Sequence, residues 1–68
     1  MDDEEKLECQ TAEALEHLRK KAVLSGCTSY VHRMLQIGFN RAATILERLE
    51  GDGIISEADD TGTRHWLT

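Results

Sequence analysis

The 68-residue sequence contains no proline, and phenylalanine, tyrosine and tryptophan occur once each. No apolar run approaches the roughly 20 residues that a membrane-spanning helix requires. The N-terminal stretch MDDEEKLECQ is acidic and lacks the basic and apolar regions of a secretion signal. These absences predict a soluble, cytoplasmic protein.

Residues for metal binding or catalysis are also scarce. Cys9 and Cys27 are the only cysteines, they form no Cys-x-x-Cys pair, and the three histidines are scattered, so the short regular spacing of metal ligands is missing. In a cytoplasmic protein the two thiols are expected to be unpaired. No phosphate-binding loop or Ser-His-Asp combination is visible, and so short a chain has little room for a water-excluding cleft. We therefore expect no enzyme, no metal and no cofactor.

What the sequence does have is a segregated charge pattern. The net charge of −5 divides into −6 over residues 1–18, +5 over residues 19–48 and −4 over residues 49–68. A basic middle between acidic ends is typical of a small domain that meets a polyanion through one surface. Ordinary charge segregation on a solvated surface is the alternative.

Capping residues and apolar spacing predict three helices. Asp2 and Glu5 form a capping box, and an apolar stripe at spacings of three and four extends a first helix over about residues 3–24, ended by Ser25-Gly26. Thr28 or Ser29 caps a short second helix, SYVHRML, which the stretch QIG ends. Asn40 opens a third helix that ends at Gly51 and Gly53. A short glycine-containing turn between two helices indicates a helix-turn-helix.

Two short apolar runs, IIS and RHWL, follow the third helix and are separated by turn residues. This pattern predicts a β-hairpin. Three helices followed by a hairpin make a winged helix, so we predict one mainly α domain with a small β-hairpin over residues 1–68. Trp66 is expected to close the hairpin core, and His32 to make a hydrogen bond at the surface.

The third helix carries the candidate binding residues. Asn40, Arg41, Thr44, Glu47 and Arg48 share the face opposite the apolar residues. A helix in the major groove of DNA needs such a face, since an asparagine amide suits adenine and an arginine suits guanine. Arg33 is expected to contact the phosphate backbone, and Arg64 either contacts it from the wing or protects a strand edge. A solvated helix face is the alternative for the whole set: Arg33, Asn40, Arg41, Thr44, Arg48 and Arg64.

Residues 27–67, with TSYVHRMLQIGFNRAATILERLEGDGIIS and GTRHWL, resemble the C-terminal gamma domain of the FtsK/SpoIIIE family of bacterial DNA translocases. Residues 1–26 hold a first helix that does not share the resemblance. The resemblance implies a winged helix that recognises short, polar, G-rich orienting sequences in double-stranded DNA and that contacts the XerD recombinase. It places Asn40 and Arg41 on the recognition helix, and Arg33 and Arg64 at basic positions of the preceding helix and the wing.

Several positions depart from the family pattern, and each departure lowers the charge or polarity of the DNA side. They are His32, Met34, Phe39, Thr44 and Thr63. A basic residue is frequent in the family at the position of Thr44. Because the 68 residues contain no phosphate-binding loop, we expect no ATP-driven motor activity from this sequence.

Three hypotheses about function follow. The first is a sequence-specific DNA-binding module, either an excised domain or a stand-alone phage or mobile-element protein that regulates transcription or occupies the orienting sites. The second is an interaction protein that binds a recombinase, a translocase or RNA polymerase through its acidic surfaces. The third is self-association through Leu7, Leu15 and Leu18, which makes a homodimer if the small core leaves this stripe uncovered.

Overall fold

A computed structural model describes residues 2–21 and 24–68 of the chain. Three helices and two short strands follow one another in these residues: α1 (Asp3–Leu18), β1 (Leu24–Ser25), α2 (Cys27–Leu35), α3 (Phe39–Gly51) and β2 (Thr63–Arg64). The mainly α architecture with a small antiparallel sheet agrees with the winged helix predicted from the sequence.

The first helix begins as predicted and ends early. Asp2 is its N-cap, and the Asp2 carboxylate accepts a hydrogen bond from the backbone N–H of Glu5 at 2.8 Å. The predicted end near residue 24 is wrong, because α1 stops at Leu18 and Leu24 belongs to β1. Leu24 pairs with Arg64 in the small sheet and is buried in the core. The predicted helical residues Ala22 and Val23 lie outside the described residues.

The helix-turn-helix is formed by α2, the turn at residues 36–38 and α3. Helix α2 starts at Cys27, before the predicted caps Thr28 and Ser29, and its N-cap is Gly26 in the left-handed conformation at φ 62°. Helix α3 starts at Phe39, one residue before the predicted Asn40. His32 is half-buried, and its Nδ1 hydrogen-bonds to the backbone oxygen of Ile37. This bond connects α2 to the turn, and it agrees with the hydrogen-bonding role expected for His32.

The wing contains the antiparallel pairing predicted from IIS and RHWL and a further strand that the sequence did not predict. Strand β2 pairs antiparallel with β1, with Leu24 opposite Arg64 and Ser25 opposite Thr63. The two predicted runs pair antiparallel around the bridge between Ile55 and Trp66. The Ser56 N–H donates to the His65 oxygen at 2.8 Å, and the Leu67 N–H donates to the Ile54 oxygen at 2.9 Å. The wing is therefore closed by a strand that precedes α2 in the chain, a long-range pairing that local sequence patterns do not reveal.

One small core joins these elements. It is built from ten buried residues: Ala14, Leu18, Leu24, Cys27, Val31, Ala42, Ile45, Leu46, Leu49 and Ile55. Trp66 packs against this core, as predicted, with the Arg19 guanidinium 5.4 Å from its ring centroid. No helix of the described residues has the length and apolar character to cross a membrane.

The apolar stripe of α1 is largely covered within the monomer. Leu18 is fully buried, and Leu7 and Leu15 pack against the core in partly buried positions. Helices α2 and α3 both pack against α1, while Leu7 and Leu15 keep part of their surface exposed, so the homodimer hypothesis stays a prediction.

Candidate nucleic-acid interface

Helix α3 turns one polar stripe to solvent. Asn40, Thr44 and Glu47 are exposed and recur at spacings of four and three, so they line one face of the helix. We call these three residues the outward stripe. The opposite face carries the buried Ala42, Ile45, Leu46 and Leu49. The amide of Asn40 makes no hydrogen bond to the described residues, whereas the Thr44 hydroxyl donates to the Asn40 backbone oxygen at 3.0 Å.

Arg41 lies on the side of α3 that faces α1. Its Nε donates a hydrogen bond to Gln10 Oε1 at 2.8 Å, and its Nη1 lies 3.2 Å from a carboxylate oxygen of Asp3. Its Nη2 also donates to the backbone oxygen of Asp3 at 3.4 Å. The guanidinium is thereby directed toward α1 and away from the outward stripe.

Arg48, two turns further along α3, is held in the same way. Its two terminal nitrogens lie 3.5 Å from a carboxylate oxygen of Glu4 and 3.4 Å from one of Glu8. Arg41 and Arg48 form the α1-facing side of α3. Two arginines that the sequence placed on the recognition face are thus occupied by three acidic residues of α1.

Arg64 also has an internal partner. Its Nη1 lies 2.9 Å from a carboxylate oxygen of Glu50 and donates to the Ser56 backbone oxygen at 3.1 Å. Only 14% of the Arg64 side chain is exposed. The guanidinium joins the wing to the end of α3, a role that neither the phosphate-contact nor the strand-edge hypothesis described.

The remaining candidate, Arg33, is exposed on α2 and has no ion-pair partner among residues 2–21 and 24–68. Close to the outward stripe, Phe39 at the start of α3 is 54% exposed and contacts His32 edge to face. An open groove of about 340 Å³ lies between the first turn of α2, Phe39 and the wing turn at Gly62. The starts of both helices and the wing therefore border one groove.

The structure thus divides the six predicted site residues. Arg33, Asn40 and Thr44 are solvent-exposed, whereas Arg41, Arg48 and Arg64 are engaged within the fold. Glu47 completes the outward stripe, where its negative charge opposes contact with phosphate. A helical wheel places Arg41 and Arg48 about 100° and 80° from Asn40 at 100° per residue, but it cannot show that α1 packs against that flank.

Two titratable groups in the described part of the chain have displaced pKa values. Burial raises the pKa of the Cys27 thiol, with Lys21 and Arg64 opposing the shift, so this cysteine stays neutral in the core. The Thr61 hydroxyl and the backbone N–H groups of Thr63 and Thr61 lower the pKa of Asp59 at the wing tip. Residues 2–21 and 24–68 hold no group of three or more His, Cys, Asp or Glu side chains that could bind a metal.

Three helices, a short wing and an exposed polar face on the third helix define a winged-helix domain. The family model of the Ftsk gamma domain matches residues 10–68. The chain belongs to this family. The match begins at Gln10 within α1, so it reaches further toward the N-terminus than the resemblance over residues 27–67.

The curated relatives are much longer proteins named DNA translocase FtsK. The protein from Caulobacter vibrioides is 50% identical over 40 residues, which is 59% of this chain and 5% of the relative. The one from Rhizobium meliloti is 58% identical over 40 residues, 59% of this chain and 4% of the relative. The one from Rickettsia prowazekii is 49% identical over 39 residues, 57% of this chain and 5% of the relative. The chain thus spans about a twentieth of these relatives, and no solved structure matches it.

Proposed function

We propose that this chain binds double-stranded DNA by laying α3 in the major groove, with the outward stripe toward the base edges. The observation that carries the proposal is the exposed Asn40 amide, which has no partner among the described residues near the start of a helix whose opposite face is buried. An asparagine amide pairs with adenine through two hydrogen bonds. Reading of base edges makes the binding sequence-dependent.

The surroundings of the stripe fit contacts to the DNA backbone. Arg33 is exposed on α2, and the groove beside Phe39 is bordered by the first turn of α2 and by the wing. Arginine side chains and helix N-termini are common phosphate contacts, and they fix the register of a protein on DNA without reading its sequence. We assign Arg33 this positioning role.

The relatives named DNA translocases support a DNA-directed role for the domain they share with this chain. We propose that the preferred target is a short, G-rich orienting sequence and that the chain acts in the cytoplasm by binding, without catalysis. Occupying orienting sites connects such a protein to chromosome segregation. Nothing in the fold favours regulation of transcription over this role.

Selection of bound duplexes from a random pool tests the proposal. We expect enrichment of a G-rich, non-palindromic motif, followed by a loss of about 1–3 kcal/mol in binding free energy for Asn40→Ala on that motif. Cys9→Ala is the matched control, since Cys9 is exposed on α1 and uncharged, and it should bind as wild type does. A pool without enrichment, or an Asn40→Ala variant that binds the selected duplex like wild type, would contradict the proposal.

A second candidate function is protein binding, favoured by the engagement of Arg41, Arg48 and Arg64 within the fold. This engagement lowers the positive charge available to DNA, while Met34 and Phe39 remain exposed as apolar contacts. A recombinase or a translocase is the partner class that the family resemblance suggests. Salt dependence separates the two functions, because DNA affinity falls steeply with ionic strength and an apolar protein interface changes little.

A further inference from the structure

The carboxylates that hold Arg41 and Arg48 come from one short segment. Asp3, Glu4 and Glu8 lie in the first two turns of α1, and all three precede Gln10, where the family match begins. The two arginines lie inside the matched domain, on the helix proposed to enter the groove. An acidic segment outside the family match thus neutralises the basic flank of the recognition helix.

The carboxylates of these ion pairs are exposed enough for another anion to replace them. The Asp3 and Glu8 side chains are 84% and 61% exposed, whereas those of Arg41 and Arg48 are 25% and 33% exposed. Ion pairs with a well-solvated partner contribute little to stability. The buried residues of α1, Ala14 and Leu18, both lie in its second half. In the first two turns only Leu7 packs against the core, in a partly buried position, so these turns have few apolar contacts to prevent them from moving away from α3.

We propose that the first two turns of α1 are an autoinhibitory element, which competes with DNA phosphates for Arg41 and Arg48. This inference rests on the proposed DNA binding. In the free protein the three carboxylates occupy the arginines, and DNA must displace them before both guanidinium groups can contact phosphate. The closed contact weakens binding and reduces the number of counterions released on association.

A pair of charge-matched variants tests the element. The release variant combines Asp3→Asn, Glu4→Gln and Glu8→Gln, whereas the control combines Glu5→Gln, Glu13→Gln and Glu16→Gln. The control residues are exposed on α1, and their side chains make no ion pair within the described residues. Each variant changes the net charge by the same amount, so a general reduction of repulsion affects both and only the release variant frees the arginines.

Fluorescence anisotropy with a labelled mixed-sequence duplex over a salt series gives the readout. We expect the release variant to bind severalfold more tightly than the control, with a salt slope steeper by up to about 2, since each added phosphate contact contributes about 0.9. Adding Arg41→Ala and Arg48→Ala to the release variant should abolish both gains. Circular dichroism checks that every variant is folded.

The outcomes separate this inference from the proposed function. Binding by wild type, with equal affinities and salt slopes for the release and control variants, contradicts autoinhibition alone. No binding by wild type or by any folded variant contradicts the proposed function and the autoinhibition that depends on it. If the release variant does not fold, the nuclear magnetic resonance signal of the wild-type Arg41 Nε–H decides whether DNA binding releases the arginine. A shift on adding duplex supports displacement of the Arg41 guanidinium from its α1 partners Gln10 and Asp3, and an unchanged signal contradicts it.

Discussion

The outward stripe and the α1-facing side of α3 are both polar, yet their surroundings differ. Asn40 and Thr44 point to solvent, whereas Arg41 and Arg48 are held by carboxylates of α1. The two sides are separated by less than a third of a turn of one helix. The difference shows that polar character identifies the unburied part of a helix, while its packing neighbours decide which part is available to a ligand.

The largest expected effect is a difference in stability between a substitution on the buried face of α3 and one on the outward stripe. Leu46 is buried and Thr44 is exposed two residues away. Leu46→Ala should lower the free energy of unfolding by about 2–5 kcal/mol through lost burial and a cavity, and Thr44→Ala should change it by about 0.5 kcal/mol or less. Chemical denaturation measures both. Similar losses for the two variants would mean that α3 is oriented differently.

A substitution on the outward stripe tests whether that face meets DNA. Thr44→Arg places a basic residue on the exposed face of α3, and it should strengthen duplex binding and steepen the salt slope by about 0.9 for one added phosphate contact. Cys9→Arg adds the same charge at an exposed site on α1 and should leave the slope near that of wild type. Equal changes in both variants would indicate only a general charge effect.

The α1-facing side is expected to contribute little to stability. A double-mutant cycle of Arg41→Ala and Asp3→Asn should give a coupling of about 0.2–1 kcal/mol, because the Asp3 carboxylate is largely exposed. High salt should reduce this coupling. A coupling of several kcal/mol would show that the pair is a fixed structural contact, and α1 would then not be released by DNA.

The smallest effect concerns a carboxylate in the wing turn, Asp59. Asp59 accepts hydrogen bonds from Thr61 and Thr63 within the wing turn, and the Thr61 hydroxyl is the main reason that its pKa is lowered below the ordinary 3.8. Because the pKa is lower in the folded state, the stabilisation is present above pH 3.8 and is lost as the pH falls through the folded pKa. Asp59→Asn should flatten the acid end of the stability profile slightly, and an unchanged profile would contradict the assignment.

Local patterns predicted most of the helical fold. The Asp2 cap, the glycine-containing turn and the apolar spacing of α3 all act within a few residues of one another, so a single sequence is enough to detect them. The end of α1 and the pairing of β1 with β2 were not predicted. Both depend on contact between residues about 40 positions apart, and local propensity carries no information about such contacts.

The candidate site was likewise predicted only where local patterns determine it. Exposure of Asn40 and Thr44 followed from helical periodicity. Helical periodicity did not predict the partners of Arg41 and Arg64, since these partners lie on α1 and at the end of α3. The acidic N-terminal segment was visible as charge, but its contact with the recognition helix requires knowing how α1 packs.

The most direct test is a titration of the isotope-labelled chain with its selected duplex, followed by backbone amide chemical shifts. DNA binding through the outward stripe predicts the largest shifts at Asn40, Thr44 and Glu47, with further shifts at Arg33. Shifts confined to the exposed face of α1 around Glu13, or no shifts at a duplex concentration that saturates binding, would contradict it.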